Sequence, residues 1–205
     1  QEKMAQIFRD RPVAFKPQAA ESGAEWELTN GLGSVRWAPP EITFSDSMNL
    51  YWDGNPMHLQ HRPGPAPEAI WVDLPNDRVL FVGDAVTPNF PPFLAYADLP
   101  EWLKILDLLL SPSYQEYMIV SGRGGVVFRE DIRRQYDYLV QVSQILSEAI
   151  ENRHGAEQLE SAVPDLLSSF DIPADKMEHY TTRLKWGLQH YYAAHSHPRN
   201  PVTYE

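Results

Sequence analysis

The chain has 205 residues, of which 43% are hydrophobic and 22% charged, and its formal net charge is −11. This composition is typical of a globular protein, and the acidic balance argues against nucleic-acid binding, which usually requires a basic face. The chain has no cysteine, which excludes disulfides, thiolate zinc sites and a cysteine nucleophile. Its longest apolar runs contain charged residues and are shorter than the ~20 residues of a membrane span, so no membrane partner is expected.

The first third of the chain is predicted to contain a short helix, a long loop and a hairpin. Residues 2–9 have the composition of a helix interior, and residues 10–40 are rich in Pro and Gly, which break any long periodicity. Residues 42–52 and 56–61 are predicted strands. The Asp53-Gly54 step between them supplies the positive φ angles that a tight hairpin turn requires.

A second hairpin and an alternation of helices and strands follow. Residues 69–73 and 78–82 are rich in β-branched and aromatic side chains and flank a turn. Asp98 and Glu101 are spaced as in a capping box and begin an amphipathic helix, and residues 117–120 form a short apolar strand. The fold class is therefore mixed α and β.

The last part of the chain is predicted to be helical. A long amphipathic helix covers residues 129–152, and helical segments follow at 157–169 and 173–192. We therefore divide the chain into a mixed domain at residues 1–153 and a helical extension at residues 154–205.

Two residues at predicted strand ends could ligate a metal. His61 closes one strand and Asp84 follows another, so both lie at the same sheet edge if the strands are neighbours. Imidazole and carboxylate together suit zinc, iron or manganese, but two ligands are too few for a catalytic site. A strand-end histidine held by backbone hydrogen bonds and a simple turn aspartate are the alternatives.

The order of these segments resembles the latter half of a metallo-β-lactamase-fold hydrolase. The resemblance rests on His61-Arg62-Pro63-Gly64, the hairpin after it, Gly83-Asp84, the helix from Asp98 and the Ser121-Gly122-Arg123-Gly124 turn, and it covers about residues 1–150. It implies part of an αββα sandwich with a metal site at the sheet edge, where a metal-activated water attacks an ester, amide, thioester or phosphoester.

The resemblance also implies roles for individual residues. His61 corresponds to a histidine ligand of the first metal, and Asp84 to the carboxylate that bridges both metals or holds the second. The His-X-His-X-Asp-His motif that supplies most ligands is absent from this sequence, so we expect it to lie upstream of Gln1. One zinc or iron ion would then need ligands from outside this chain, and this chain alone is expected to be inactive.

Arg123 stands where the family has its final histidine ligand. A guanidinium stays protonated and cannot ligate a metal. We therefore predict that Arg123 pairs with Asp84, neutralising it or gripping an anionic substrate, and that the second metal site is absent.

These observations leave two functions open. The first is a metal-dependent hydrolase acting on a small molecule through Asp84 and Arg123, and the second is a non-catalytic binding or scaffolding protein with the same fold. Half of a two-sheet sandwich would expose an apolar sheet face, which favours association. We therefore expect a companion, either the missing N-terminal half or a second copy of the chain in a homodimer.

Overall fold

The computed structural model describes residues 42–152 and 156–196, in which six strands form one mixed sheet. The strands are β1 Ser47–Trp52, β2 Asn55–His61, β3 Ile70–Leu74, β4 Val79–Gly83, β5 Met118–Ser121 and β6 Gly125–Val127. The helices are α1 Leu99–Leu110, α2 Arg129–Glu151, α3 Ala156–Ser161, α4 Val163–Leu167 and α5 Met177–His195. The helix predicted at residues 2–9 and the loop predicted at 10–40 lie outside the described residues.

The strands lie in the sheet in the order of the sequence. β1 to β4 form an antiparallel meander, β4 and β5 are parallel, and β5 and β6 are antiparallel. The hairpin turn between β1 and β2 has φ angles of 51° at Asp53 and 80° at Gly54, as the sequence predicts. β1 is shorter than predicted because it begins at Ser47 rather than Ile42.

The strand directions bring several strand ends to one edge of the sheet. β4 and β5 are parallel, with Gly83 opposite Ser121, so their carboxyl ends meet there. His61 ends β2 opposite Ile70, and a Cβ at Gly83 would lie 4.0 Å from the Ile70 carbonyl oxygen. His61 and Asp84 are therefore at the same edge, with only β3 between their strands.

One hydrophobic core lies between the helices and one face of the sheet. The sheet contributes alternating, fully buried side chains, including Trp71, Leu80, Val82 and Ile119. The helices contribute buried residues from both predicted domains, namely Trp102, Leu106, Ile132, Leu139 and Leu146 on one side of residue 153 and Leu159, Leu166, Leu184 and Leu188 on the other. The helical extension and the mixed domain thus share a core.

The opposite face of the sheet is apolar and partly exposed. A row of hydrophobic residues crosses all six strands in register, namely Met48, Leu59, Val72, Phe81, Val120 and Val126. Phe81 is 42% exposed and Val126 46% exposed. The companion chain expected from the sequence stays a prediction.

Capping contacts define the helix boundaries. The backbone N–H of Glu101 donates to Asp98 Oδ1 at 3.0 Å, which caps α1 as the sequence predicts. The second predicted C-terminal segment is one helix, α5, but the first is two short helices because Pro164 stands in the first turn of α4. Within the described ranges, no helix has the length and apolar character needed to cross a membrane.

Two glycine-to-alanine changes should have opposite effects on stability. A Cβ at the buried Gly64 would lie 3.0 Å from both Trp102 Cα and Ile105 Cδ1, so Gly64→Ala overpacks the contact between the β2–β3 loop and α1. We expect it to lower the free energy of unfolding by about 1–3 kcal/mol, measured by urea denaturation.

Gly187→Ala is the matched control. A Cβ there would lie 3.4 Å from Leu94 Cβ, which is an ordinary contact, and alanine favours a helix over glycine by about 1 kcal/mol. We expect an unchanged or slightly higher stability. Equal losses in both variants would contradict the packing described for Gly64.

Candidate functional site

A cavity of about 440 Å³ opens at the sheet edge where β4 and β5 end. Its size is typical of a small-molecule site. The β2–β3 loop, β4, the segment after β4, α1, the β5–β6 turn and α5 all contribute to its lining, which consists of Pro65, Ala66, Glu68, Ala69, Ile70, Val82, Gly83, Asp84, Thr87, Phe93, Tyr96, Trp102, Arg123 and Arg183.

Asp84 and Arg123 form an ion pair in this cavity. Arg123 Nε donates to Asp84 Oδ1 at 3.0 Å. The Arg123 side chain is 36% exposed and the Asp84 side chain is 48% exposed. This contact agrees with the pairing predicted from the sequence. Because both groups are partly hydrated, the pair contributes no more than about 1 kcal/mol to folding, and its main effect is to fix the two side chains.

Glycines on both sides of Arg123 allow the close approach of its turn to the segment after β4. A Cβ at Gly122 would lie 3.3 Å from Asp84 Oδ1, and one at Gly124 would lie 2.9 Å from Pro88 Cγ. Gly124 also has a φ of +132°, which favours glycine. The Gly-Arg-Gly sequence therefore sets the position of Arg123 against Asp84.

Arg183, on α5, is a second guanidinium in the cavity. Burial lowers the pKa of Arg183 and of Arg123, and the Arg183 charge lowers the pKa of Arg123 further. Burial raises the pKa of Asp84, whereas the Arg183 charge opposes that rise. Arginine remains protonated at neutral pH, so two cations, Arg123 and Arg183, face Asp84. The other carboxylate among the described lining residues belongs to Glu68, which is exposed.

A buried polar network holds the segment that carries Asp84. Gln135, on α2, donates from Nε2 to the Ala85 carbonyl at 2.6 Å and accepts from the Thr87 backbone N–H at 2.6 Å. Trp102 Nε1 donates to the same Ala85 carbonyl at 2.8 Å. The Ser121 hydroxyl donates to the Val86 carbonyl. These bonds satisfy buried backbone groups of Ala85, Val86 and Thr87 and connect the site to α1 and α2.

His61 lies at the same edge, but its ring is engaged by the backbone. Nε2 is 2.6 Å from the Pro67 carbonyl oxygen, and because a carbonyl only accepts, Nε2 carries the proton and donates. This contact matches the alternative in which His61 is satisfied by a backbone hydrogen bond. It leaves Nδ1 as the ring nitrogen with a lone pair.

The described residues do not fit a complete metal site. In residues 42–152 and 156–196, no group of three or more potential ligand side chains comes together. Asp84 is paired with a guanidinium, and His61 Nε2 is occupied by a hydrogen bond. A single zinc or iron ion at His61 and Asp84 would need ligands from outside these ranges, so its presence stays a prediction.

Sequence reasoning finds part of this cavity and misses the rest. Asp84 and Arg123 were predicted as site residues, and Phe93 and Tyr96, from the proline-rich segment 87–96, line the cavity with them. Arg183 and Gln135 were missed. The available signal for Arg183 is its spacing from Trp186 and His190, which places the three on one face of α5.

Replacing Gln135 should destabilise the protein. Gln135→Leu removes the partner of the buried Thr87 N–H, and an unsatisfied buried donor costs about 1–3 kcal/mol. We expect a loss of about 2 kcal/mol in urea denaturation. Gln141→Leu, at an exposed position of α2, is the control and should change stability by no more than about 0.5 kcal/mol. Similar losses in the two variants would show that the network contributes little.

His179 should make stability depend on pH. Burial and the charges of Arg183 and Lys176 lower its pKa in the folded state, so the unfolded chain binds this proton more readily. The folded state therefore loses stability as the pH falls below about 6.5, the ordinary value. We expect the thermal midpoint to fall between pH 7.5 and pH 5 by less in His179→Gln than in the unmodified protein. Equal falls would exclude this contribution.

The sequence and fold of the chain are similar to those of known proteins. The sequence model of the metallo-beta-lactamase superfamily matches residues 4–122, more than half of the chain. No curated protein matches the chain.

Two solved structures illustrate the similarity of fold. The inverting sec-alkylsulfatase Pisa1 from Pseudomonas sp. is 16% identical with a TM-score of 0.56, and the match covers 77% of this chain and 27% of the sulfatase. A metallo-beta-lactamase family protein from Thermus thermophilus is 19% identical with a TM-score of 0.51, covering 92% of this chain and 62% of that one. The chain thus spans less than a third of the sulfatase. On the combined evidence of sequence and fold, this chain belongs to the metallo-beta-lactamase superfamily.

Proposed function

We propose that the sheet-edge cavity is the substrate pocket of a hydrolase in this superfamily. The observation that carries the proposal is the contact of Arg123 with Asp84 inside a cavity large enough for a small molecule. Membership in the superfamily supports a hydrolytic reaction, since its fold is that of hydrolases and its structural neighbours include a sulfatase. The substrate would be an ester, amide, thioester or phosphoester.

The residues of this chain would bind and orient the substrate in that reaction. Arg123 supplies positive charge where negative charge develops on the reacting group, and preorganised charge of this kind is usually a large part of catalysis. Asp84 holds Arg123 in the cavity through the Nε contact. The same guanidinium takes the place beside Asp84 that a second metal would need, so we propose that the second metal site is absent.

A non-catalytic binding protein is the second candidate. It is favoured by the hydrogen bond of His61 Nε2 to Pro67 and by the lack of a three-ligand group among the residues that the structure describes. In this alternative, the cavity binds a small molecule without cleaving it.

Metal content and hydrolysis together distinguish the two candidates. The natural protein, with any segment that precedes Gln1, is purified without chelators or a His tag, because this chain alone is expected to be inactive. It is analysed by elemental mass spectrometry and tested against ester, amide, thioester and phosphoester substrates. We expect at most one metal ion per chain and hydrolysis of at least one substrate class.

Variants at Asp84 and Lys104 then test the pocket itself. Asp84→Asn should lower kcat/KM by about 100-fold or more, because it releases the Arg123 side chain that acts in the transition state. Lys104→Gln, on the exposed side of α1, should leave the rate unchanged. Two metals per chain would contradict the role of Arg123. Hydrolysis that Asp84→Asn does not change would place the reaction outside this cavity, and no hydrolysis would favour the binding protein.

A further inference from the structure

β1 is an edge strand whose outer side has no neighbouring strand among the residues that the structure describes. It stands first in the strand order and pairs only with β2. This pairing runs without a register shift from Ser47 opposite Gln60 to Trp52 opposite Asn55. The outer side of such a strand presents a row of unpaired N–H and C=O groups, which a strand of another chain can satisfy. β1 is therefore a candidate interaction surface.

The sequence of β1 has none of the features that usually protect a sheet edge. The strand is Ser-Met-Asn-Leu-Tyr-Trp, without a charged residue, a proline or a glycine. Natural edge strands are commonly protected by lysine, proline or a bulge, which prevent pairing with another chain. The nearest charges in sequence are Asp46 and Asp53, just beyond the two ends of the strand. The six residues of β1 can therefore pair with another strand without burying a charge of their own.

The side chains of β1 are also poorly covered by their own chain. Leu50 is 41% exposed, Tyr51 is 72% exposed and Trp52 is 78% exposed. Of the six residues of the strand, Met48 is half-buried and the others are exposed. Exposed apolar side chains that lie together on a surface favour association, because association removes them from water. The gain is largest for a partner that lies along the outer side of β1.

The direction of the backbone groups determines which residues of β1 can bond to such a partner. The His61 N–H donates to the Asp46 carbonyl at 2.8 Å, so Asp46 directs its backbone groups towards β2. In an antiparallel pair, successive residues direct their backbone groups to opposite sides of the strand. The even-numbered residues of β1 therefore bond to β2, and the outward groups belong to Ser47, Asn49 and Tyr51.

A second copy of β1 matches this edge in the antiparallel orientation. A two-fold axis through Leu50 places Asn49 of each copy opposite Tyr51 of the other, so their outward N–H and C=O groups face each other. The same register places Leu50 opposite Leu50 and Met48 opposite Trp52 on one face of the sheet. Cross-strand pairs of apolar and aromatic side chains stabilise a sheet. The edge is therefore complementary to itself in both hydrogen bonding and side-chain chemistry.

This register agrees better with the sequence than the neighbouring one does. An axis through Asn49 also brings outward groups together, but it places Trp52 opposite Asp46 of the other copy and so sets a carboxylate against an indole ring. With the axis through Leu50, Trp52 instead meets Met48. Met48 is the first residue of the apolar row that crosses the outer face of the sheet, so the row continues into the second copy.

We propose that two copies of this chain form a homodimer in which their β1 strands pair antiparallel about Leu50 and join the two sheets edge to edge. The occupant is a second copy because the edge matches itself in register and has no charge that would select a charged partner. This inference goes beyond the proposed function. The described lining of the cavity includes no residue of β1, so the dimer does not depend on what the cavity binds.

The molar mass in solution tests the dimer. The natural protein, with any segment that precedes Gln1, is studied by light scattering and sedimentation velocity over a range of concentrations. We expect a mass that rises with concentration to that of two copies. A mass that stays that of one copy would overturn the proposal, and it is the result expected if residues 1–41 or a preceding segment cover the edge.

A charge at the axis tests whether β1 forms the interface. Leu50→Lys places two like charges directly opposite each other, which destabilises a strand pair. We expect the dissociation constant of the dimer to rise at least about tenfold. Ile42→Lys makes the same kind of change at a 70% exposed apolar residue outside β1 and should leave the constant unchanged. Equal constants for the two variants would place the interface elsewhere. Circular dichroism confirms that each variant is folded.

Cross-linking through single cysteines tests the register. The 205 residues contain no cysteine, so an introduced thiol can be followed alone. Leu50→Cys should form a disulfide-linked dimer on mild oxidation, because directly opposite residues of a pair without mutual hydrogen bonds have Cα atoms about 4.5 Å apart, within the range for a disulfide.

Asn49→Cys, at the neighbouring position of the same strand, is the matched control. Its two copies would be diagonal neighbours about 7–8 Å apart, too far for a disulfide, so we expect little cross-linking. Non-reducing electrophoresis separates the products, and the unmodified protein, oxidised in the same way, controls for cysteines outside these 205 residues. Cross-linking of Asn49→Cys in preference to Leu50→Cys, or of neither variant, would overturn the proposed pairing.

Discussion

The site depends on one buried side chain, the amide of Gln135. Two buried backbone groups after β4 bond to this amide, and one of them, the Thr87 N–H, would lose its partner without it. The amide donates to Ala85 and accepts from Thr87, so it satisfies groups of both kinds at once. These bonds fix the position of the segment that carries Asp84. Asp84 and Thr87 in this segment line the cavity.

The Asp84–Arg123 pair gives a carboxylate at the sheet edge a cation from within the chain. A nearby cation stabilises the charged form of a partly buried carboxylate, and that cation can be a metal ion or a guanidinium. A metal requires several ligands with lone pairs, and among the described residues these are not gathered. Arg123 needs only one acceptor, which Asp84 provides after β4, and a glycine on each side, which the β5–β6 turn provides. The guanidinium therefore neutralises Asp84 within a single chain.

The sequence predicts the local features of this fold better than its long-range contacts. The Asp53-Gly54 turn and the cap at Asp98 follow from short motifs whose chemistry is fixed by neighbouring residues. The pairing of Arg123 with Asp84, which are distant in sequence, followed instead from the family resemblance. β6 was not predicted because three residues carry too little pattern. Arg183 was not predicted as part of the site because Asp84 is far from it in sequence and only packing of α5 on the core brings them together. Pro164, by contrast, was a readable signal for the break between α3 and α4.

The parallel pairing of β4 and β5 has a consequence for how the molecule folds. Parallel neighbours cannot be joined by a tight turn, so the chain passes through α1 and its flanking loops between Val79 to Gly83 and Met118 to Ser121. Closing so long a loop costs chain entropy before the two strands gain any contacts, and this cost slows the pairing of β4 with β5. The cavity lies at the end of this pair of strands and is lined by α5 as well. In a nascent chain the hairpins are therefore available first, and the lining of the cavity is complete only when synthesis has passed residue 183.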